Sequence, residues 1–183
     1  MKRLPLLIFV VVALAQLSVP AMMVWGRQQT FKHGRVWKFK TAPVDPEDAI
    51  RGRYIALAFD LEAFPQAPGQ NLGNDLYIVL KEDADGFAAV DRATDEPVKG
   101  DNVVRAQNRG QYDDKQHLSF PFHKYWVKET IAPEAENAYR NNSTRKNQNA
   151  FVTVRVRDGD AALEQLYINN QPLVDYLRAA KSR

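Results

Sequence analysis

The sequence predicts a mainly β domain, all-β or α+β, built on an antiparallel, barrel-like sheet with two short helices and preceded by one N-terminal transmembrane helix. Three observations predict it. The run Leu4 to Trp25 is apolar apart from Gln16 and Ser18. Behind it, Val36–Lys40, Tyr54–Glu62 and Phe151–Arg157 alternate apolar and polar residues with period two, as half-buried strands do. Helical periodicity is confined to two short stretches, each opened by a proline, Pro133 and Pro172.

The apolar run is the first element. At about 1.5 Å of rise per residue it can cross a hydrocarbon layer of about 30 Å. Residues 1–3 form a basic head, 4–25 the anchor, and 26–183 one β-rich domain. A cleaved signal peptide is the rival, because Ala13-Leu14-Ala15 has the small-x-small form of a cleavage site. Apolar character nevertheless continues to Trp25, an aromatic residue suited to the membrane interface, which favours a retained signal anchor. Arg27, Lys32, Arg35, Lys38 and Lys40 come after it and outnumber Lys2 and Arg3, so charge counting alone would keep the domain inside. The basic head and apolar core have the form of an export signal, and long domains translocate largely regardless of charge. The expected placement is therefore single-pass in a bacterial inner membrane, with the domain on the periplasmic side.

The strands come next, in chain order. Val36–Lys40 puts Trp37 and Phe39 on one face, and Pro43–Asp48 then breaks the chain with two prolines. Tyr54–Glu62 reads as one strand with Ile55, Leu57, Phe59 and Leu61 inward. Leu76–Lys81, the turn 82–86, Phe87–Asp91, Asn102–Gln107 and a strand over Leu118–Val127 succeed it. A helix from Pro133 ends near Asn141, and Phe151–Arg157 turns at Asp158-Gly159-Asp160 into a partner strand ending at Ile168. In the last helix Leu173, Val174, Tyr176 and Leu177 are placed to dock. The expected core is Ile55, Leu57, Phe59, Leu76, Ile78, Leu80, Val152, Val154 and Val156.

Composition narrows the chemistry. With 45% apolar and 26% charged residues among 183, the chain is globular rather than disordered. Two of its 25 basic residues, Lys2 and Arg3, precede the anchor, so those in the domain nearly balance the 22 acidic ones. That leaves no excess of positive charge for a nucleic-acid backbone. The absence of cysteine excludes thiolate catalysis, disulfides and thiolate-bound zinc. His33, His117 and His123 have no ligand spacing, so neither a metal nor any other cofactor is expected. Ser119 and Ser143 lack a nucleophile-elbow context, and Asp83-Ala84-Asp85-Gly86 reads as a hairpin turn rather than a calcium loop.

The block from Ala42 to Phe59 remains. Its Gly52-Arg53-Tyr54-Ile55-Ala56-Leu57-Ala58-Phe59 resembles the defining motif of the GDYXXLXY family, bacterial proteins of about this length with an N-terminal anchor and no characterised activity. Gly52, Tyr54 and Leu57 match the motif letters, Arg53 replaces its aspartate and Phe59 its last tyrosine. The resemblance extends to the Asp45-Pro46 turn, to Phe120–Glu129 with its Tyr125-Trp126-Val127, and to the hairpin Val154–Gly159.

Structurally, Asp45, Pro46, Gly52, Leu57 and Phe59 read as scaffold, with Gly52 supplying backbone freedom where the strand starts. Functionally, Arg51, Arg53 and Tyr54, joined by Tyr125 and Glu129, could line one groove. Forked donors and rigid aromatic surface suit recognition more than catalysis. The expected function is that of an accessory or binding protein of the envelope, held by its helix and acting through contacts with another membrane or envelope protein. An envelope hydrolase acting on peptide or glycan, with Glu129 as acid or base, is the alternative.

Overall fold

A computed structural model describes residues 3–42, 54–65, 72–112, 115–144 and 147–181. The chain opens with helix α1 (Arg3–His33). Among its described side chains Phe9, Leu14, Leu17, Met22, Met23, Val24 and Trp25 are between 63% and 72% accessible. The helix is long and apolar enough to cross a membrane, and its apolar stretch buries nothing inside the protein.

α1 does not stop where the apolar run stops. It continues about two more turns to His33, where the Thr30 carbonyl accepts the Gly34 N–H at 2.9 Å. A Cβ on residue 34 would lie 2.5 Å from that carbonyl, so only glycine lets the helix pass into a strand within one residue. Thr30 is buried in this junction, and Arg155 Nη1 donates to the Gly34 carbonyl at 3.4 Å.

Two five-stranded sheets carry the body, and every strand pair within them is antiparallel. The first runs in spatial order β14 (Gln171–Pro172), β13 (Asp160–Ile168), β12 (Ala150–Arg157), β1 (Arg35–Ala42), β3 (Ala58–Phe59). The second runs β4 (Ala63–Pro65), β8 (Lys115–Ser119), β7 (Val103–Tyr112), β5 (Asp75–Glu82), β6 (Ala88–Thr94). Two short ribbons complete the strands, β2 (Tyr54–Ala56) with β9 (Lys124–Trp126) and β10 (Ser143–Thr144) with β11 (Asn147–Gln148). α2 (Ala132–Asn142) packs through Ala132, Ala135 and Tyr139, and α3 (Leu173–Lys181) through Leu173 and Leu177. Lys181 bridges the two helices by its 2.8 Å ion pair with Glu134.

Both sheets feed one core. Phe39 lies at the centre of an aromatic group, its ring centroid 5.8 Å from Phe59, 6.0 Å from Phe120 and 5.0 Å from Phe122, each approached edge-on. All nine residues expected in the core are buried. The β12–β13 turn clamps the first sheet to the second: Gly159 N–H donates to Val103 and the Gly159 carbonyl accepts from Arg105, at 3.1 and 2.9 Å. Gly159 has φ of 89°, and a Cβ there would come within 3.3 Å of the Arg105 side chain. Both facts require glycine at this close approach.

Three expectations are corrected. Tyr54–Glu62 is not one strand but β2, β3 and a 3-10 turn at Asp60–Glu62, with β4 after it. The run crosses three ladders, pairing in turn with β9, β1 and β8. Period two survived because it records which side chains face inward, not which strand supplies the hydrogen bonds. Leu118–Val127 is likewise divided, because the chain turns at Pro121 and Phe122 between β8 and β9. Proline has no N–H for a ladder. Val174 is 40% accessible and does not dock, since Leu173 and Leu177 already fill the contact. The Pro43–Asp48 turn lies outside the described residues.

Candidate functional site

The ribbon β2–β9 joins the two sequence segments expected to cooperate. Its register sets Tyr54 opposite Trp126, Ile55 opposite Tyr125 and Ala56 opposite Lys124. Directly opposed residues share a face, and successive ones alternate. Tyr54, Trp126, Ala56 and Lys124 therefore lie on one face, and Ile55 with Tyr125 on the other.

On the outer face the Tyr54 and Trp126 rings meet at 5.3 Å with an interplanar angle of 62°. Lys124 Nζ stands 4.9 Å from the centre of the Tyr54 ring, a cation–π distance. Trp126 is 66% accessible, an unusual state for so large an apolar surface. The inner face is anchored: Ile55 is buried, and the Tyr125 hydroxyl accepts from Gln165 Nε2 of β13 at 3.2 Å. Partial burial raises the Tyr125 phenol above its ordinary pKa.

The expected groove is thus redrawn. Tyr54 and Tyr125 come from adjacent strands but point to opposite sides, so they cannot line one surface. Glu129 is exposed and opens a 3-10 turn ahead of α2. Arg51 and Arg53 lie outside the described residues, as do Gly52, Asp45 and Pro46. Leu57 and Phe59 are scaffold. Leu57 N–H donates to the His123 carbonyl at 2.9 Å, extending the ribbon by one pair, its buried side chain ties the ribbon to the core, and Phe59 belongs to the aromatic core.

A family model for the GDYXXLXY protein matches residues 16–166. The chain belongs to that family. The function of the GDYXXLXY family is unknown, and no curated protein and no solved structure matches the chain. Within the GDYXXLXY motif of this member, the two positions that are described and match, Tyr54 and Leu57, have separate duties: the tyrosine builds the outer face and the leucine fixes the ribbon. At the substituted last position, Phe59 contributes a ring without a hydroxyl to a site that has no solvent.

Trp126 and Lys124 were missed as site residues by sequence reasoning. Their signal was present in the spacing: two residues apart in a strand they share a face, and the lysine marks that face as the solvated one.

A second polar locus, also unforeseen, lies behind β1. The Glu62 carboxylate accepts the Phe59 N–H at 3.1 Å and a further backbone bond from Phe120. Burial pushes its pKa up to about 7, the two backbone donors pulling in the opposite direction. Tyr139 is 3% accessible; its hydroxyl lies against Thr41, Ser143 and Ala58 without a well-formed hydrogen bond, and burial pushes its pKa up to about 12. Asp60 is also raised by desolvation, offset by Lys40. Among the described residues no three histidine, aspartate or glutamate side chains gather as a metal site would require.

Proposed function

We propose that this GDYXXLXY protein is a single-pass accessory protein of the bacterial inner membrane whose periplasmic domain holds another envelope protein through the Tyr54–Trp126 face. The observation that carries the reading is Trp126, two-thirds exposed, braced by Tyr54 and flanked by Lys124. Aromatic anchors of this kind dominate the energetics of protein interfaces, and a braced ring loses little conformational freedom on binding. The hydrolase alternative draws no support from Glu129, because an acid or base catalyst is normally sheltered in a concave site and Glu129 is exposed.

The experiment is photocrosslinking from position 126 in intact membranes, paired with capture by Trp126→Ala. Capture of the crosslinked partner should fall by about thirtyfold, as for a hot-spot residue, while melting changes by no more than a surface substitution allows. Unchanged capture would reject the face.

Placement is tested separately. The protein should resist carbonate extraction from membranes, and a reporter active only outside the cytoplasm should work when fused after Arg183. Activity of a cytoplasm-restricted reporter at that junction would reverse the orientation.

A further inference from the structure

Between α1 and the body runs a groove enclosing about 910 Å³, large enough for a ligand of several hundred daltons. One wall is Met22 and Met23, the closing turn of the apolar run, and the lining then passes to Arg27 of the same helix and to Arg105, Arg109 and His123 of the body. The groove therefore changes from apolar to cationic over about one turn of helix, at the level where a membrane passes from hydrocarbon to headgroups.

The charges are unequal in kind. Arg105 is held by Asp160 at 2.5 Å, so that pair is neutral. Arg109 is exposed and its one polar contact among the described residues is the Ser119 hydroxyl at 3.4 Å. Arg27 is exposed too and carries no ion pair among the described residues. Asp75 is the remaining carboxylate of the lining, which leaves the groove net positive. Two guanidinium forks facing one space, over a thioether-lined wall, match a phosphodiester carrying acyl chains.

We propose that this groove binds the headgroup of one anionic phospholipid, with Arg27 and Arg109 on the phosphate and the acyl chains along Met22 and Met23. The proposal rests on α1 spanning a membrane. A soluble phosphate compound is the lesser match, because it would leave the methionine wall uncovered. Bound there, the lipid would fill the space between anchor and domain.

The test uses the full chain in neutral detergent micelles, offered phosphatidylglycerol or phosphatidylcholine, with retained lipid counted by native mass spectrometry. Phosphatidylglycerol should be retained in preference. Arg27→Gln and Arg109→Gln should each weaken that retention by about fivefold, the effect of one basic residue at an anionic surface, and the double variant should abolish the preference. Arg92→Gln, which changes an exposed cation outside the groove, should leave it intact. Equal retention of the two lipids would overturn the proposal, as would a preference that survives the double variant. Displacement of the lipid by soluble glycerophosphoglycerol at equal concentration would also overturn it, since acyl chains would then contribute nothing. Carbonate extraction separates the two failures: a chain washed off membranes defeats the anchor as well, whereas one that resists but shows no headgroup preference defeats the groove alone.

Discussion

Phe39→Ala should remove about 4 kcal/mol of stability, the largest loss expected from any single truncation in the body. Phe39 is fully buried on β1, and its ring makes edge-on contact with Phe59, Phe120 and Phe122. These rings come from three segments far apart in the chain, β1, the motif run and the turn between β8 and β9. Phe59 cannot move into the vacated space without breaking its pairing with Thr41 of β1, and the Phe120 turn is tied through its backbone to Glu62 and to the His123 ring, so the cavity should stay open and its full cost be felt. For a domain of this size that corresponds to a fall in melting temperature of roughly 10 °C, read by near-ultraviolet circular dichroism of the detergent-solubilised chain. Val174→Ala, at a site 40% accessible, should change melting by no more than about 2 °C. A loss below about 1.5 kcal/mol for Phe39→Ala would mean that the aromatic group is not the centre of the core.

Stability should also decline as pH rises from about 4.5 to about 7, the reverse of the usual behaviour of a salt-bridged carboxylate. The cause is Glu62, whose pKa is lifted to about 7 in the folded chain by burial and stands at 4.5 when free of it. Between those values the folded state binds the proton and the unfolded state does not, so each rise in pH favours unfolding. The contribution is fully present below the unfolded value and gone once pH passes the folded one. Its size is on the order of 2 kcal/mol, after allowing for the part of the side chain still in contact with water. Glu62→Gln keeps an oxygen for the Phe59 N–H and removes the charge. Its stability should fall less steeply than the parent's through this window and exceed it at about pH 8. Parallel profiles for the two proteins between about pH 4.5 and about 7.5 would show that Glu62 is not the titrating group.

The interior was legible in the sequence because alternation reports side-chain direction directly: Ile55, Leu57 and Phe59 are buried and Tyr54, Ala56 and Ala58 less so, although no single ladder contains them all. Pairing was not legible. Which strand lies beside Tyr54–Ala56 depends on contacts about seventy residues away, and neither composition nor period carries that information. The same gap shaped the candidate site. The Tyr54 and Tyr125 segments do pair as β2 and β9, but the inward turn of Tyr125 and the outward turn of Trp126 come only from register, Tyr54 to Trp126 and Ile55 to Tyr125. Glu62 escaped notice for a related reason: its neighbours in sequence are ordinary, and its burial, like the backbone bond it accepts from distant Phe120, comes only with the fold.

The passage from α1 to β1 through Gly34 alone determines how this domain can search for anything. A flexible tether of about ten residues would let a domain wander roughly 17 Å from its point of attachment. Here there is no tether: the last helical turn is buried at Thr30, and the next strand is the one that pairs with both β12 and β3. With α1 in a bilayer, the domain rides at one height and rotates only as the helix rotates. Encounter with any partner would then become diffusion in a plane, restricted to molecules that display their complementary surface at that same height. In that setting the geometry would exclude most proteins before any side chain is compared, and it would raise the local concentration of those that remain.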